Sequence, residues 1–304
     1  MKIGLIDVDS HNFPNIPLMK ISAHHKKIGD TVEWYDPCLS GHLDKVYMSK
    51  VFTFTPDYPY NINSEIICKG GTGYFNPKDD KFLPEHIEHI YPDYSIYFDK
   101  YPHIKDTAYG FLTRGCPRGC NFCIVGKKEG NYSKKVADLF EFWNGQKNIV
   151  LLDPNFFACK DWGMLSQQLI DSKANIDFSQ GCDIRIMDID KIEALKKMQI
   201  KRIHFAWDNY DDKLKIIPKF EMFKKLTEWH YVKMGVYVLC NFNTSIEQDL
   251  ERIYILRDLG YNPYVMIYEK EKLPKEHKLR KIQRWVNSKQ IFHKVKTFEE
   301  YLLH

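Results

Sequence analysis

The chain has 304 residues, which is enough for one large or two modest domains with a buried core. Its hydrophobic content of 44% and charged content of 28% are ordinary for a globular protein, and no apolar run resembles a signal peptide or a membrane span. The net charge of +4 is too small to require a nucleic-acid partner. We therefore expect a protein without a membrane segment, located in a reducing cytoplasm.

Residues 1–105 are predicted to form an α/β domain of Rossmann-like type. Apolar positions with helical spacing predict a helix over residues 16–28. Four short apolar runs predict strands, at residues 2–6, 31–35, 45–51 and 65–69. The last run leads into Gly70-Gly71-Thr72-Gly73, which lacks the spacing of a phosphate-binding loop and is predicted to be a tight turn. The proline-rich stretch 84–102 is predicted to be a linker packed on the surface.

The most specific feature of the chain is TRGCPRGCNFC, which brings Cys116, Cys120 and Cys123 into eight residues. Thiolates this close together are ligands for a soft metal centre, and iron–sulfur clusters are held by cysteine thiolates. Because Pro117 and the neighbouring glycines disfavour a helix, we expect an irregular loop and not a buried helical face. Three thiols would leave one iron of a four-iron cluster open to a small molecule. Zinc binding and a purely structural role remain alternatives, although no histidine at finger spacing supplies a fourth zinc ligand.

Residues 106–270 alternate between apolar strands and amphipathic helices. Six strands are predicted, at residues 109–113, 148–153, 176–180, 202–207, 233–239 and 263–268, and five helices, at residues 133–143, 162–172, 189–198, 213–229 and 245–259. Such alternation predicts parallel strands joined by right-handed crossovers, in a partial (β/α)6 TIM-type barrel. Residues 271–304 are predicted to form a helical extension, in which a basic amphipathic helix covers the barrel. Nucleic-acid binding by this basic helix is a less favoured alternative.

Polar side chains follow the predicted strands at their carboxyl ends, where the functional groups of β/α barrels cluster. They are Asp153 and Asn155 after the second strand, Gln180, Asp183 and Arg185 after the third, Asp208 after the fourth, Asn241 and Asn243 after the fifth, and Tyr268 and Glu269 after the sixth. Near the cysteines, Arg114 and Arg118 are expected either to stabilise a cluster or to be solvated. Phe122 is expected to shield the same site from water.

The cysteine run, with Cys116, Cys120 and Cys123, resembles the signature of the radical S-adenosylmethionine (SAM) superfamily. The resemblance covers residues 108–268 well and the rest of the chain loosely. It implies that the three cysteines hold a [4Fe-4S] cluster whose fourth iron binds SAM. Reduction by flavodoxin or ferredoxin would then cleave SAM to a 5′-deoxyadenosyl radical, which abstracts hydrogen from a substrate that the sequence does not identify.

The resemblance also assigns expected contacts to SAM. Asp153 is expected near its ammonium group, Arg185 near its carboxylate, and Asp208 or Gln180 near its ribose hydroxyls. No catalytic residue is assigned. An iron–sulfur protein that binds nucleic acid or senses redox state, without SAM turnover, is the alternative function.

The N-terminal domain, with its IICKGGTGY run, resembles the cobalamin-binding-like domain that precedes the core in one branch of the superfamily. The cobalamin ligand motif of that branch is Asp-x-His-x-x-Gly, and the nearest run here, Asp9-Ser10-His11-Asn12-Phe13-Pro14, has no glycine. Cobalamin is therefore not expected, and we expect a degenerate domain that shapes the substrate site. A second cluster, as in a methylthiolating subfamily, is not expected either, because only Cys38 and Cys68 are available.

Overall fold

The computed structural model describes residues 1–76 and 82–303 and contains two separate parallel sheets. The first sheet has four strands in the order β2-β1-β3-β4, which matches the beginning of a doubly wound order. A single helix, α1 (Ile16–Lys27), connects the first two strands. The strands are β1 (Lys2–Asp7), β2 (Thr31–Trp34), β3 (Leu43–Ser49) and β4 (Ser64–Gly70). Each lies within two residues of its predicted position, but loops replace the later helices of a complete Rossmann-like domain.

The glycine turn after β4 packs against the loop that follows β3. Lys50 donates its backbone N–H to the carbonyl of Gly70 at 3.1 Å, and Gly73 donates to the carbonyl of Lys50 at 2.8 Å. The segment Thr72–Tyr74 continues as one turn of 3-10 helix. These contacts make the glycines part of a tight turn, as the sequence predicts.

The segment between the two sheets is not a surface linker, as the sequence predicted, because two of its tyrosines are buried. It contains α2 (Glu85–Glu88) and then Tyr94 and Tyr97, which are at most 5% exposed. The Tyr97 hydroxyl donates to Asp7 in the first domain at 2.5 Å. The Tyr94 hydroxyl accepts from the backbone N–H of Tyr109 in the second domain at 3.0 Å. The two buried tyrosines thus connect the segment to both sheets. The polar residues and prolines of the segment did not indicate this connection.

The second sheet begins with β5 (Thr107–Gly110), after which the chain forms the irregular segment that carries the cysteines. This segment contains a two-stranded hairpin, β6 (Thr113–Arg114) and β7 (Lys134–Lys135), and the short helix α3 (Val125–Glu129). The predicted helix at 133–143 is wrong. Val136 donates its backbone N–H to the carbonyl of Leu112 at 2.9 Å, so strand-like pairing with the β5–β6 segment replaces helical hydrogen bonds.

The remaining strands complete a six-stranded parallel sheet in the order β12-β11-β10-β9-β8-β5. They are β8 (Asn148–Leu151), β9 (Asn175–Cys182), β10 (Gln199–Ala206), β11 (Met234–Cys240) and β12 (Asn262–Ile267). The helices that connect them are α4 (Trp162–Ser172), α5 (Ile189–Lys197), α6 (Lys213–Thr227) and α7 (Ile246–Asp258). Four of the five predicted helices are therefore present, and consecutive strands are neighbours, as expected for successive β/α units.

The two faces of the six-stranded sheet differ in chemistry. Along β9, Ile176 and Phe178 are buried in the large apolar core, to which the helices also contribute. Asn175, Asp177 and Ser179 alternate with them and lie on the opposite face. We call this polar face the inner face of the sheet.

The C-terminal residues form three helices, α8 (Lys278–Asn287), α9 (Lys289–Lys294) and α10 (Phe298–Leu302). Helix α8 packs against the edge strand β12, with Trp285 completely buried. Asn287 binds the backbone of Val265 in β12, accepting from its N–H at 2.8 Å and donating to its carbonyl at 3.0 Å. The predicted covering helix is thus present. None of the helices in the described ranges is both long and apolar enough to cross a membrane.

Candidate functional site

The cysteines lie on an irregular loop at the carboxyl end of β5–β6, as the sequence predicts. Gly115 begins the loop with φ of 84°, a left-handed conformation that favours glycine, and a Cβ there would lie 2.2 Å from the Tyr132 carbonyl oxygen. Cys116 donates its backbone N–H to Gly130 at 3.2 Å, and Cys123 donates to Cys120 at 3.0 Å. These hydrogen bonds hold the loop through its own backbone.

The three thiols lie close enough to act on one another electrostatically. Burial raises the pKa of Cys120, and the neighbouring Asp208, Cys123 and Cys116 raise it further. Burial likewise raises the pKa of Cys123, with Cys116 and Asp208 contributing in the same direction. Both thiols are therefore protonated at neutral pH without a metal, and metal binding would have to release their protons.

Asn155, after β8, contacts the cysteine loop directly. Its side-chain Nδ2 donates to the Sγ of Cys116 at 3.5 Å, and the residue is only 2% exposed. Its Oδ1 is buried and has no hydrogen-bond partner among the residues that the structure describes. Hydrogen bonds to ligand sulfurs are among the contacts by which proteins tune iron–sulfur clusters.

The donor set fits a cluster better than a single ion. Three free thiols provide only sulfur ligands, one of which already accepts an amide hydrogen bond. Across residues 1–76 and 82–303, no three His, Cys, Asp or Glu side chains are placed to hold one metal ion together. A cluster binds each thiolate to a different iron, so its ligands do not converge on one point. The single-ion zinc alternative gains no support from this arrangement.

Asp153, expected near the ammonium group of SAM, supports the start of the cysteine loop. Its carboxylate accepts hydrogen bonds from the backbone N–H of Leu112 at 3.2 Å and from the hydroxyl of Thr113 at 2.7 Å. The backbone N–H of Thr113 donates to it as well. Burial raises the pKa of Asp153 to about 6, although these hydrogen bonds lower it. The acid thus fixes the backbone just before the cysteines.

Arg185, expected near the SAM carboxylate, belongs to a chain of ion pairs that reaches the cysteine loop. Its Nε donates to Asp183 and its Nη1 to Asp212, each at 2.8 Å. The second oxygen of Asp183 pairs with Arg118, which lies between the first two cysteines. Neither arginine is simply solvated, since each is about one-third exposed and paired. The loop after β9 is thereby tied to the cysteine loop.

Asp208, expected near the SAM ribose, lies close to the cysteines and to the buried Arg252. Burial raises its pKa to about 6, opposed by the charge of Arg252. Arg252 is fully buried, donating to the Trp207 carbonyl at 2.5 Å and to Leu239 at 2.8 Å, and pairs with Asp249. This arginine joins the ends of β10 and β11 and so fixes the strand end that presents Asp208.

Arg114, at the other side of the loop, pairs with Glu129 in α3 at 3.0 Å. The same glutamate accepts from the backbone N–H of Gly115 at 3.0 Å. Glu129 was not singled out in the sequence, and its only signal was its place one residue before Gly130. It closes the cysteine loop by joining its two ends.

Aromatic side chains cover the cysteine loop on the side of β11 and β12. The ring of Phe122 lies 5.1 Å from that of Phe242, which in turn lies 5.0 Å from Tyr268. Phe242 stands between Asn241 and Asn243, both of which have positive φ. Phe242 thus packs against Phe122, a contact that the sequence did not indicate. The shielding role of Phe122 stays a prediction.

The N-terminal domain contacts the second domain beside this site. Lys128 in α3 donates to the hydroxyl of Thr72 in the glycine turn at 2.7 Å. Phe13, in the loop after β1, lies 5.8 Å from the ring of Tyr109 on the inner face of the large sheet. These contacts are consistent with the expected role of the N-terminal domain in shaping the substrate site, which stays a prediction.

Gln180, the fourth residue expected near SAM, is exposed and lines a cavity on the inner face of the sheet. The structure therefore brings Arg185 and Asp208 next to the cysteines, places Asp153 beneath the loop and leaves Gln180 in the cavity. Sequence reasoning missed the inner-face residues Asp177 and His204. Their alternation with buried apolar neighbours was a signal that could have revealed them.

Comparison with known proteins gives little sequence similarity. No family model and no curated protein matches the chain. Two crystal structures of SuiB from Streptococcus suis are similar in part, one bound to the precursor peptide SuiA and one bound to S-adenosylmethionine. Sequence identity is 13% in both, with TM-scores of 0.41 and 0.39, and they cover 70% and 69% of this chain. The aligned part spans about half of the SuiB chain, 53% and 52%.

Proposed function

We propose that this chain is a radical SAM enzyme in which Cys116, Cys120 and Cys123 hold a [4Fe-4S] cluster. The observation that carries the proposal is the position of the three thiols. They lie on one irregular loop at the carboxyl edge of a six-stranded parallel sheet, within electrostatic reach of one another. This edge is where α/β proteins of this kind bind cofactors.

When bound, such a cluster supplies the electron that cleaves SAM reductively to methionine and a 5′-deoxyadenosyl radical, which abstracts a hydrogen atom from the substrate. The protein's own residues would hold and orient the cluster and SAM. Asn155 donates to the sulfur of Cys116, Arg185 would bind the carboxylate of SAM, and Asp208 or Gln180 would bind its ribose hydroxyls.

In this proposal, Asp153 does not bind the ammonium group of SAM directly. Both of its oxygens already accept hydrogen bonds from Leu112 or Thr113. We therefore assign it as a positioning residue that holds the backbone entering the cysteine loop. Flavodoxin or ferredoxin is the proposed class of electron donor.

The direct test is SAM cleavage by protein purified without oxygen. With dithionite as reductant, the wild type is expected to contain close to four iron and four sulfide per chain and to release 5′-deoxyadenosine. Cys120→Ala is expected to lose most of the iron and at least 100-fold of the cleavage rate. Cys38→Ala, which removes an exposed cysteine of the first domain, is the matched control and should leave both unchanged.

Colourless wild-type protein that neither binds iron nor cleaves SAM would overturn the proposal. Iron-loaded protein that does not bind SAM but binds an oligonucleotide in a salt-dependent manner would favour the nucleic-acid alternative instead.

A further inference from the structure

A cavity of about 800 Å³ lies on the inner face of the six-stranded sheet. All six strands contribute to its wall, and Asn12 and Phe13 of the N-terminal domain complete it. Thr107, Asn148 and Asn175, which begin β5, β8 and β9, place one end of the cavity at the amino ends of these strands. The cavity is large enough for a ligand of drug-like size.

Two irregularities in the sheet direct charged and polar side chains into this cavity. In the pairing of β10 with β9, Ile200 is opposite Ile176 and Arg202 is opposite Asp177, so Lys201 is an extra residue. The bulge therefore lets the consecutive Lys201 and Arg202 both line the cavity. Bulges are enriched beside functional sites because they redirect side chains in this way.

The second irregularity lies further along the same pair of strands. There, the five residues of β9 from Phe178 to Cys182 lie opposite only three residues of β10, from Ile203 to Phe205. The consecutive residues Ser179 and Gln180 both line the cavity as a result. In a regular strand, one of two consecutive side chains would point into the apolar core.

The cavity wall carries opposite charges that the protein does not neutralise by contact. Within residues 1–76 and 82–303, the Oδ1 atom of Asp177 is buried without a hydrogen bond, and Nδ1 of His204 lies 4.0 Å away. Neither the Lys201 nor the Arg202 side chain forms a hydrogen bond or an ion pair within the part of the chain that the structure describes. A buried carboxylate oxygen without a hydrogen bond is costly, so a ligand that donates to it would relieve that cost.

His204 adds a neutral acceptor to the same wall. Its Nδ1 lies 3.1 Å from the carbonyl oxygen of Phe178, and burial lowers its pKa to about 4, so the ring is neutral and Nδ1 carries the hydrogen. The ring stacks on Tyr237 at 4.9 Å, and a Cβ at Gly235 would lie 2.4 Å from it. Gly235 thus leaves the space that this ring occupies.

We infer that this cavity binds a zwitterionic ligand of amino-acid or short-peptide type. Asp177 binds its ammonium group, and Arg202 with Lys201 binds its carboxylate. Asp106, Asp177, Lys201 and Arg202 all line the cavity, so its wall carries two acidic and two basic side chains. This balance favours a ligand carrying both signs over a purely anionic or cationic one. That the ligand is also the substrate of the radical reaction rests on the proposed function, whereas its binding does not.

The test is a thermal-shift and calorimetric screen of the protein purified without oxygen, whatever its iron content, against the twenty common amino acids and a set of dipeptides. The best dipeptide is compared with its N-acetylated and C-amidated forms. Each modification removes one charge and is expected to weaken binding at least 10-fold. In Asp177→Asn the N-acetyl penalty should disappear, and in Arg202→Gln the amide penalty should disappear. Lys225→Gln, an exposed position on α6, is the control and should keep both penalties.

Because SAM is itself zwitterionic, the titration is repeated with saturating SAM. Binding that persists supports a separate site, whereas complete competition would show that the cavity belongs to the SAM site and would overturn the inference. Failure of every amino acid and dipeptide to bind, or equal binding of the charged and modified forms, would also overturn it. None of these results alters iron content or SAM cleavage, so the inference and the proposed function can fail separately.

Discussion

Asp208 illustrates how single buried acids shape the site. Burial raises its pKa to about 6, so the folded state disfavours its charged form. An acid whose pKa is higher in the folded than in the unfolded state removes stability as the pH rises from about 4 through 6. Asp208→Asn is expected to match the wild type in free energy of unfolding near pH 4. At pH 7 it should be more stable by up to about 2 kcal/mol, because two pKa units correspond to about 2.7 kcal/mol and the site is not fully dry.

Urea unfolding of both proteins between pH 4 and 7 measures this difference. Asp190→Asn, at an exposed position in the first turn of α5, controls for the loss of a surface carboxylate. A gap between Asp208→Asn and the wild type that does not grow with pH would contradict the assigned environment.

At this scale the sequence identified the cysteines because their spacing and the glycines between them are typical of very few kinds of site. It identified Arg185 and Asp208 by their place at strand ends. It missed the partners that fix them, such as Asp212 and Arg252, because an ion pair between distant segments leaves no local pattern. Lys201 reaches the same inner face only through a bulge, which changes the register without a sequence signal.

Helix α7 shows how a local sequence sets an element beside the site. Ser245 caps its first turn, accepting from Gln248 N–H at 3.3 Å, while the Gln248 side chain accepts from Ser245 N–H at 3.0 Å. Ser245→Ala is expected to lower the free energy of unfolding by about 1 kcal/mol, because the first turn of the helix loses its side-chain acceptor. Urea unfolding measures the change.

Ser288→Ala is the matched control for this prediction. Ser288 precedes α9 as Ser245 precedes α7, but its side chain makes no capping hydrogen bond. The control is expected to change stability by less than about 0.5 kcal/mol. Equal effects of the two substitutions would contradict the capping assignment.

Most elements could be predicted because their periodicity and caps are local. The failed helix at 133–143 shows the limit of this approach. Its apolar spacing was helical, yet Lys134 and Lys135 pair with β6 and Phe142 packs against Gly110. Those are tertiary contacts, and they outweigh local propensity. The linker prediction for the segment with the buried tyrosines failed for the same reason.

Across the whole molecule, the C-terminal helices complete the core of the large domain. Trp285 and Val286 in α8 and Phe298 in α10 are fully buried in the same apolar core as the six-stranded sheet. Truncation after Lys270 is expected to expose this surface and the edge of β12, giving aggregated protein without a cooperative unfolding transition. Truncation after Leu302 is the control and should unfold like the full chain. Solubility and thermal unfolding distinguish the outcomes.

The fold as a whole was more predictable than its detail. Six parallel strands in consecutive order follow from alternating strands and helices, and the Rossmann-like order of the first sheet follows from a single β/α/β pattern. What joins the two sheets was not predictable, since it depends on two tyrosine hydroxyls and on a lysine that binds the glycine turn.

Whether the three cysteines hold a cluster that binds SAM is tested by the electron paramagnetic resonance spectrum of dithionite-reduced, oxygen-free protein. We expect the signal of a reduced [4Fe-4S] centre that changes shape when SAM is added, and the loss of that signal in Cys120→Ala. A spectrum without any iron–sulfur signal, or a cluster signal that SAM leaves unchanged, would contradict it.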